Sequence, residues 1–168
     1  MKTGISLLVI ILSMAITTGF SQDKTRKELK EQKKLEKQKQ IEAMVIAKEF
    51  VFVPRIALPS GMGPVNISQN QNYVKFQPDF IDSYMPFFGN AYGGVAYGTD
   101  KGLKFNGKPE VFTIEKNKKA FQIEAVVKGE TDNFRLSLTV GFEGNATLII
   151  YSNNRSTISY NGEISAPE

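Results

Sequence analysis

Tyrosine, carboxylate and arginine side chains carry what reactive chemistry this chain has, because two residue types are missing. Of 168 residues none is histidine and none is cysteine. That removes the commonest general base, the commonest nitrogen metal ligand, the thiol nucleophile, every disulfide and any lipid anchor on cysteine. Paired carboxylates remain for acid–base work. Asp79 and Asp82 are the nearest pair. They lie in a turn-rich run after Pro78, where acidic side chains cap or stay solvated. Together with Asp100 they match no calcium-loop spacing. No G-x-S-x-G, phosphate-loop or metal-ligand motif occurs. The one S-x-x-K match, Ser21 to Lys24, straddles the expected end of a leader. The sequence nominates no catalytic residue, no metal ligand and no cofactor, and a carboxylate-based hydrolase is the weakest reading.

The aromatic stretch YMPFFGNAYGG, residues 84 to 94, carries more information. Tyr84, Phe87, Phe88 and Tyr92 alternate with Pro86, Gly89, Gly93 and Gly94, so large apolar area meets turn formers. One reading is a structural corner with Phe87 and Phe88 inside. The other is a pocket mouth lined by Tyr84, Tyr92 and Tyr97, whose hydroxyls are polar handles on apolar rings. The corner is favoured. Should a pocket form, the ligand-binding candidates are Tyr84, Phe88, Tyr92, Tyr97, Arg155 and Tyr160. Arg155 follows SNN in a turn, where it reads as a surface charge, a clamp on strand-end carbonyls or an anion ligand. Tyr160 lies at strand spacing from Ile158, a core or half-core position. Asn66, Asn145 and Asn154 head N-x-S/T triplets, which matter only in a host that glycosylates them.

Three segments position these residues. Residues 1–21 have the pattern of a secretory signal peptide: Lys2, an apolar run from Ile5 to Ile16, and the small residues Gly19 and Ser21 before a cut at Gln22. The run is shorter than the roughly 20 residues of a membrane span. The expected protein is therefore exported to the periplasm or beyond, is not a lipoprotein, and has no membrane span after cleavage. Residues 22–48 are a charged helical arm, rich in Lys, Glu and Gln and free of Gly and Pro. Leu29, Leu35 and Ile41 keep no heptad, and only Ile41, Met44 and Val45 form a face that can dock. Residues 49–168 read as an antiparallel β domain. Phe121, Ile123, Ala125 and Val127, then Phe134, Leu136, Leu138, Val140 and Phe142, recur at every second position. That is the period of a half-buried strand, and short turns between such runs make a meander. Asn106-Gly107 predicts a hairpin joining GLKFNGK to EVFTIEKN. The fold class is mainly β, with roughly eight to ten strands curled into an open barrel or a sandwich after the N-terminal charged helix.

The charge of +4 is not a nucleic-acid footprint. Residues 23–49 hold nine basic and six acidic side chains, whereas residues 50–168 hold eleven of each sign. Nucleic-acid binding needs a concentrated basic surface on the folded part.

Three blocks resemble the domain of unknown function 4251 family of Bacteroidetes. YMPFFGNAYGG is similar to that family's Tyr-Leu-Pro-Tyr-Phe-Gly-x-Ala-Tyr block, with Met85 for Leu and Phe87 for Tyr. NNRSTISYNGEI resembles its Asn-Arg-x-x-Ile-x-Tyr-x-Gly ending, and KEFVFVPRIALP its first strand and Pro loop. The likeness covers about residues 48 to 165. It implies export, the bacterial envelope and a β fold, and it assigns no substrate and no catalytic residue. The expected function is an exported non-enzymatic domain that binds a small apolar or glycan ligand, or an envelope protein. The alternative is an envelope structural or assembly factor tethered by its charged helix.

Overall fold

The computed structural model describes residues 26–92, 102–129 and 132–167. The expected leader and Tyr97 lie outside them. The chain divides into two compact units, Met1–Lys33 and Lys34–Glu168. The described part of the first is helical. The second holds the rest of the helix and every strand.

Helix α1 spans Arg26–Ala47, and of its residues Ile41 and Val45 are fully buried. Met44 packs beside them against the core. The helix ends on Lys48, whose φ of 58° is left-handed. Lys48 N–H donates to Val45 O and Glu49 N–H to Met44 O, both at 3.1 Å. This is a Schellman closure, usually made with glycine. A lysine there costs about 1–2 kcal/mol of backbone strain, and its ammonium sits 4.7 Å from the Phe112 ring centre.

The strands are β1 Phe50–Pro59, β2 Val65–Asn66, β3 Tyr73–Gln77, β4 Phe80–Met85, β5 Leu103–Gly107, β6 Pro109–Lys116, β7 Ala120–Lys128, β8 Asn133–Gly141, β9 Asn145–Ser152 and β10 Ile158–Ser165. They form one ten-stranded sheet in the order β5-β4-β3-β1-β10-β9-β8-β7-β6, with β2 beside β1. The ladders are antiparallel, and β7 to β10 form the meander that the alternation predicts. The sheet curls into a nearly closed barrel with a seam, and β5 and β6 are the ends of its path.

The alternating apolar residues fill the interior. Phe50, Phe52, Phe76, Phe121, Leu136, Leu138, Leu148 and Tyr160 are all below 2% exposed. Phe105 of β5 stacks on Phe134 of β8 at 4.3 Å between ring centres. Phe112 of β6 meets Phe76 of β3 edge-on at 6.3 Å. Such pairs add about 0.5–1.5 kcal/mol each beyond their buried area, and they tie distant strands across the barrel. The core-facing residues of β6, Phe112 and Ile114, are only half-buried, whereas those of β7 are fully buried, as expected at an open seam. From Lys34 onward helix α1 lies at the end of the barrel that holds the β8–β9 turn, with Ile41 beside Gly144. Lys34 pairs with Glu143 there at 3.0 Å, and Glu42 pairs with Lys116.

Two local expectations change. Asn106-Gly107 does not make a hairpin. Both residues belong to β5, opposite Asp82 and Ile81 of β4, and Lys108 alone separates β5 from β6. One residue is too short to reverse a chain, so the strand bends, pairing first with β4 and then with β7. The run after Pro78 is more regular than its acidic residues suggest, because β4 starts at Phe80 and Asp82 lies within it.

The other bend is in β1, whose register against β10 shifts between Pro54 and Ile56. Opposite it stands Gly162, where a Cβ would come within 2.1 Å of Val53 O and 2.9 Å of Pro54 Cα. Only glycine allows the two backbones this close at the bulge.

Candidate functional site

The site grows from one row of the β3–β4–β5 ladder. Val74 and Phe76, and Ile81, Ser83 and Met85, point inward. Strand alternation therefore turns Tyr73, Asp82 and Tyr84 outward. Register sets Tyr73 opposite Tyr84, and Tyr84 opposite Lys104. The two rings stack at 6.2 Å with 20° between their planes, and the Lys104 ammonium lies 4.3 Å from the Tyr84 ring centre. Tyr73 donates its phenol hydrogen to Asp82 Oδ2 at 2.9 Å. That bond, followed by partial burial, pushes the Tyr73 phenol above its ordinary pKa. The Tyr84 hydroxyl has no partner among the described residues, and Tyr84 is 45% exposed.

The β2–β3 loop forms the facing wall. Gln69, Asn70, Gln71 and Asn72 join Tyr73, Tyr84, Met85, Pro86, Phe87, Gly102 and Lys104 around a groove of about 720 Å³. Backbone bonds from Asn70 N–H to Ile67 O at 3.2 Å and from Asn72 N–H to Asn70 O at 2.8 Å shape the loop. Ile67, 2% exposed, anchors its base. Asn72 is buried and turns its amide to Ile67 O at 3.4 Å.

The groove floor is braced from a distant part of the chain. Tyr160, fully buried on β10, donates its hydroxyl to Pro86 O at 2.6 Å, 74 residues away in sequence. Burial holds that phenol neutral far above the ordinary tyrosine range, and the Arg155 charge offsets the effect only in part. Arg155 Nη1 donates to Gly102 O at 2.8 Å, and its guanidinium lies 5.3 Å from the Phe87 ring centre. The corner itself is sewn to the β9–β10 loop. Tyr92 N–H donates to Asn154 O at 2.8 Å and Ser156 N–H to Asn90 O at 2.9 Å. Asn90 N–H donates to Ser156 Oγ at 3.2 Å. A Cβ on Gly89 would fall 2.4 Å from that same Oγ and 2.8 Å from the Phe87 ring, so a side chain there would displace the Ser156 hydroxyl and the Phe87 ring. The aromatic block and the C-terminal block are thus two sides of one joint.

The six sequence candidates separate accordingly. Tyr84 lines the groove. Tyr160 and Arg155 brace its floor from beneath. Phe88 is half-buried against the core, together with Phe87. Tyr92 is 70% exposed and held through its backbone, and Tyr97 lies outside the described residues. The sequence reading omits Tyr73, Lys104 and the amide loop. Alternation within NYVKFQP carries the signal for Tyr73, since Val74 and Phe76 inside leave it outside. No local pattern sets Tyr73 beside Tyr84.

Among the described residues no group of three or more acidic side chains is placed to hold a metal ion. No helix among them is long and apolar enough to cross a membrane.

None of the curated proteins compared with the chain matches it. A crystal structure of a DUF4251 family protein from Bacteroides eggerthii is similar, with a TM-score of 0.60 and 18% identity over 77% of this chain and 87% of that one. At that identity the likeness bears on the fold. The model of the family described as "Domain of unknown function (DUF4251)" matches residues 32–164. This match takes in the barrel short of the last residue of β10, the corner and the joint that braces it, and the chain belongs to the DUF4251 family.

Proposed function

We propose that this protein is an exported, non-catalytic binding module of the cell envelope, and that the Tyr73–Tyr84 groove holds its small ligand. The observation that carries the reading is the groove itself: about 720 Å³, within the roughly 300–1,000 Å³ usual for small-molecule sites, with a stacked tyrosine pair on one wall and amides on the other. Its floor is fixed by Tyr160 and Arg155 before any ligand arrives, so little ordering entropy is lost on binding. The non-catalytic reading rests on side-chain chemistry. The chain has no histidine or cysteine, and the carboxylate beside the groove, Asp82, accepts a hydrogen bond from Tyr73. Export rests on the leader pattern of residues 1–21.

A thermal-shift screen of the purified protein against envelope lipids, glycans and small metabolites tests the binding role. The expected result is a ligand that raises Tm in the native protein and not in Tyr84→Ala. A library that leaves Tm unchanged refutes it. Export is checked by fractionating the native host and sequencing the N-terminus of the product; an intact leader on a cytoplasmic protein refutes it.

A further inference from the structure

We propose that the ligand of this groove is a short glycan, on the order of two pyranose rings in size; the inference rests on the binding-module reading above. A pyranose has an apolar C–H face and a rim of hydroxyls, each of which both donates and accepts. The groove offers counterparts to both. The exposed amides of Gln69, Asn70 and Gln71 each carry donors and an acceptor, and none of the three has a side-chain hydrogen bond to a described residue. The Tyr84 hydroxyl is likewise without a described partner. Tyr73 spends its hydrogen on Asp82, which leaves its oxygen as an oriented acceptor. Tyr84 lies between Tyr73 and Lys104, so the apolar surface for the C–H face comes from the edges of this stack and from Met85, Pro86 and Phe87 of the lining.

Competing ligand classes fit less well. An acyl chain would strip water from three amides and two phenols and return no hydrogen bond, a cost that falls on the complex alone. A phosphate ester calls for converging cations or helix N-terminal amides. Among the described residues of the lining Lys104 is the one cation, and it sits on the Tyr84 ring.

The test is titration calorimetry of the purified protein with maltotriose, cellotriose, xylotriose, mannotriose and chitotriose. The fluorescent apolar probe 8-anilinonaphthalene-1-sulfonate is run in parallel. The expected result is saturable binding of at least one trisaccharide, weakened about tenfold or more by Tyr84→Ala and separately by Gln71→Ala. Both side chains are exposed, so both variants fold, and circular dichroism checks this. If no trisaccharide binds but the apolar probe does, and Tyr84→Ala abolishes its signal, the glycan inference falls while the groove reading stands. If neither binds, both fall. A trisaccharide whose affinity neither variant changes sits elsewhere, and that also overturns the inference.

Discussion

Replacing Tyr160 by phenylalanine removes one oxygen atom from the centre of the joint. The ring keeps its place in the core, so cavity formation contributes little. What is lost is the 2.6 Å bond to Pro86 O, and that carbonyl is left in half-buried surroundings without its donor. Orphaning a buried acceptor costs about 1–3 kcal/mol. For a domain of this size each kcal/mol lowers Tm by about 3–5 °C. The pH dependence gives a second reading of the same bond. Burial raises the phenol's pKa in the folded state above the ordinary tyrosine value of about 10. The unfolded chain therefore loses this proton first, and the group's contribution is complete below pH 10 and declines as pH rises above it. By pH 11 the native protein should lose stability on the order of 1 kcal/mol that Tyr160→Phe does not lose. Urea unfolding of both proteins at pH 8, 10 and 11 measures both effects. Equal stability at pH 8, or parallel losses at pH 11, would refute the joint as drawn.

Further substitutions probe the same framework. Gly162→Ala places a methyl against the backbone of Val53 and Pro54; the protein should fail to fold or lose several kcal/mol, roughly the upper range for single substitutions, and soluble expression with an unchanged Tm contradicts the bulge argument. Ile41→Ala empties a site that is 3% exposed beneath the helix and should cost about 2–5 kcal/mol in denaturant unfolding, whereas Lys30→Ala on the exposed turns should cost almost nothing. Arg155→Lys should not rescue Arg155→Ala in either Tm or ligand affinity, because a lysine cannot both reach Gly102 O and lie flat on Phe87; full rescue would reduce Arg155 to a surface charge.

Much of the barrel was legible because strand alternation is a local signal. Phe121 to Val127 and Phe134 to Val140 show which face is inward with no knowledge of the partner strand. The helix was legible from composition, and its docking face from Ile41, Met44 and Val45. The failures are of two kinds. Asn106-Gly107 is a strong turn pair, yet β5 already has β4 as a partner, so tertiary pairing overrode the local preference. The groove depends on register and long-range closure. Tyr73 meets Tyr84 through the β3–β4 ladder, and Pro86 meets Tyr160 across 74 residues. No spacing in the sequence encodes either contact. Phe87 and Phe88 pack on the core only half-buried, and Phe87 also lines the groove, while the bracing of the corner by Tyr160 and Arg155 emerges only in three dimensions.

A backbone-amide NMR titration of the purified protein with the best-binding compound of the screen tests the central claim most directly. The account predicts fast-exchange shifts confined to residues 69–73, 84–87 and 102–104, with the meander face of β7 to β9 silent. Shifts centred on helix α1 or on the outer face of the meander, with the Tyr73–Tyr84 wall unmoved, would contradict it.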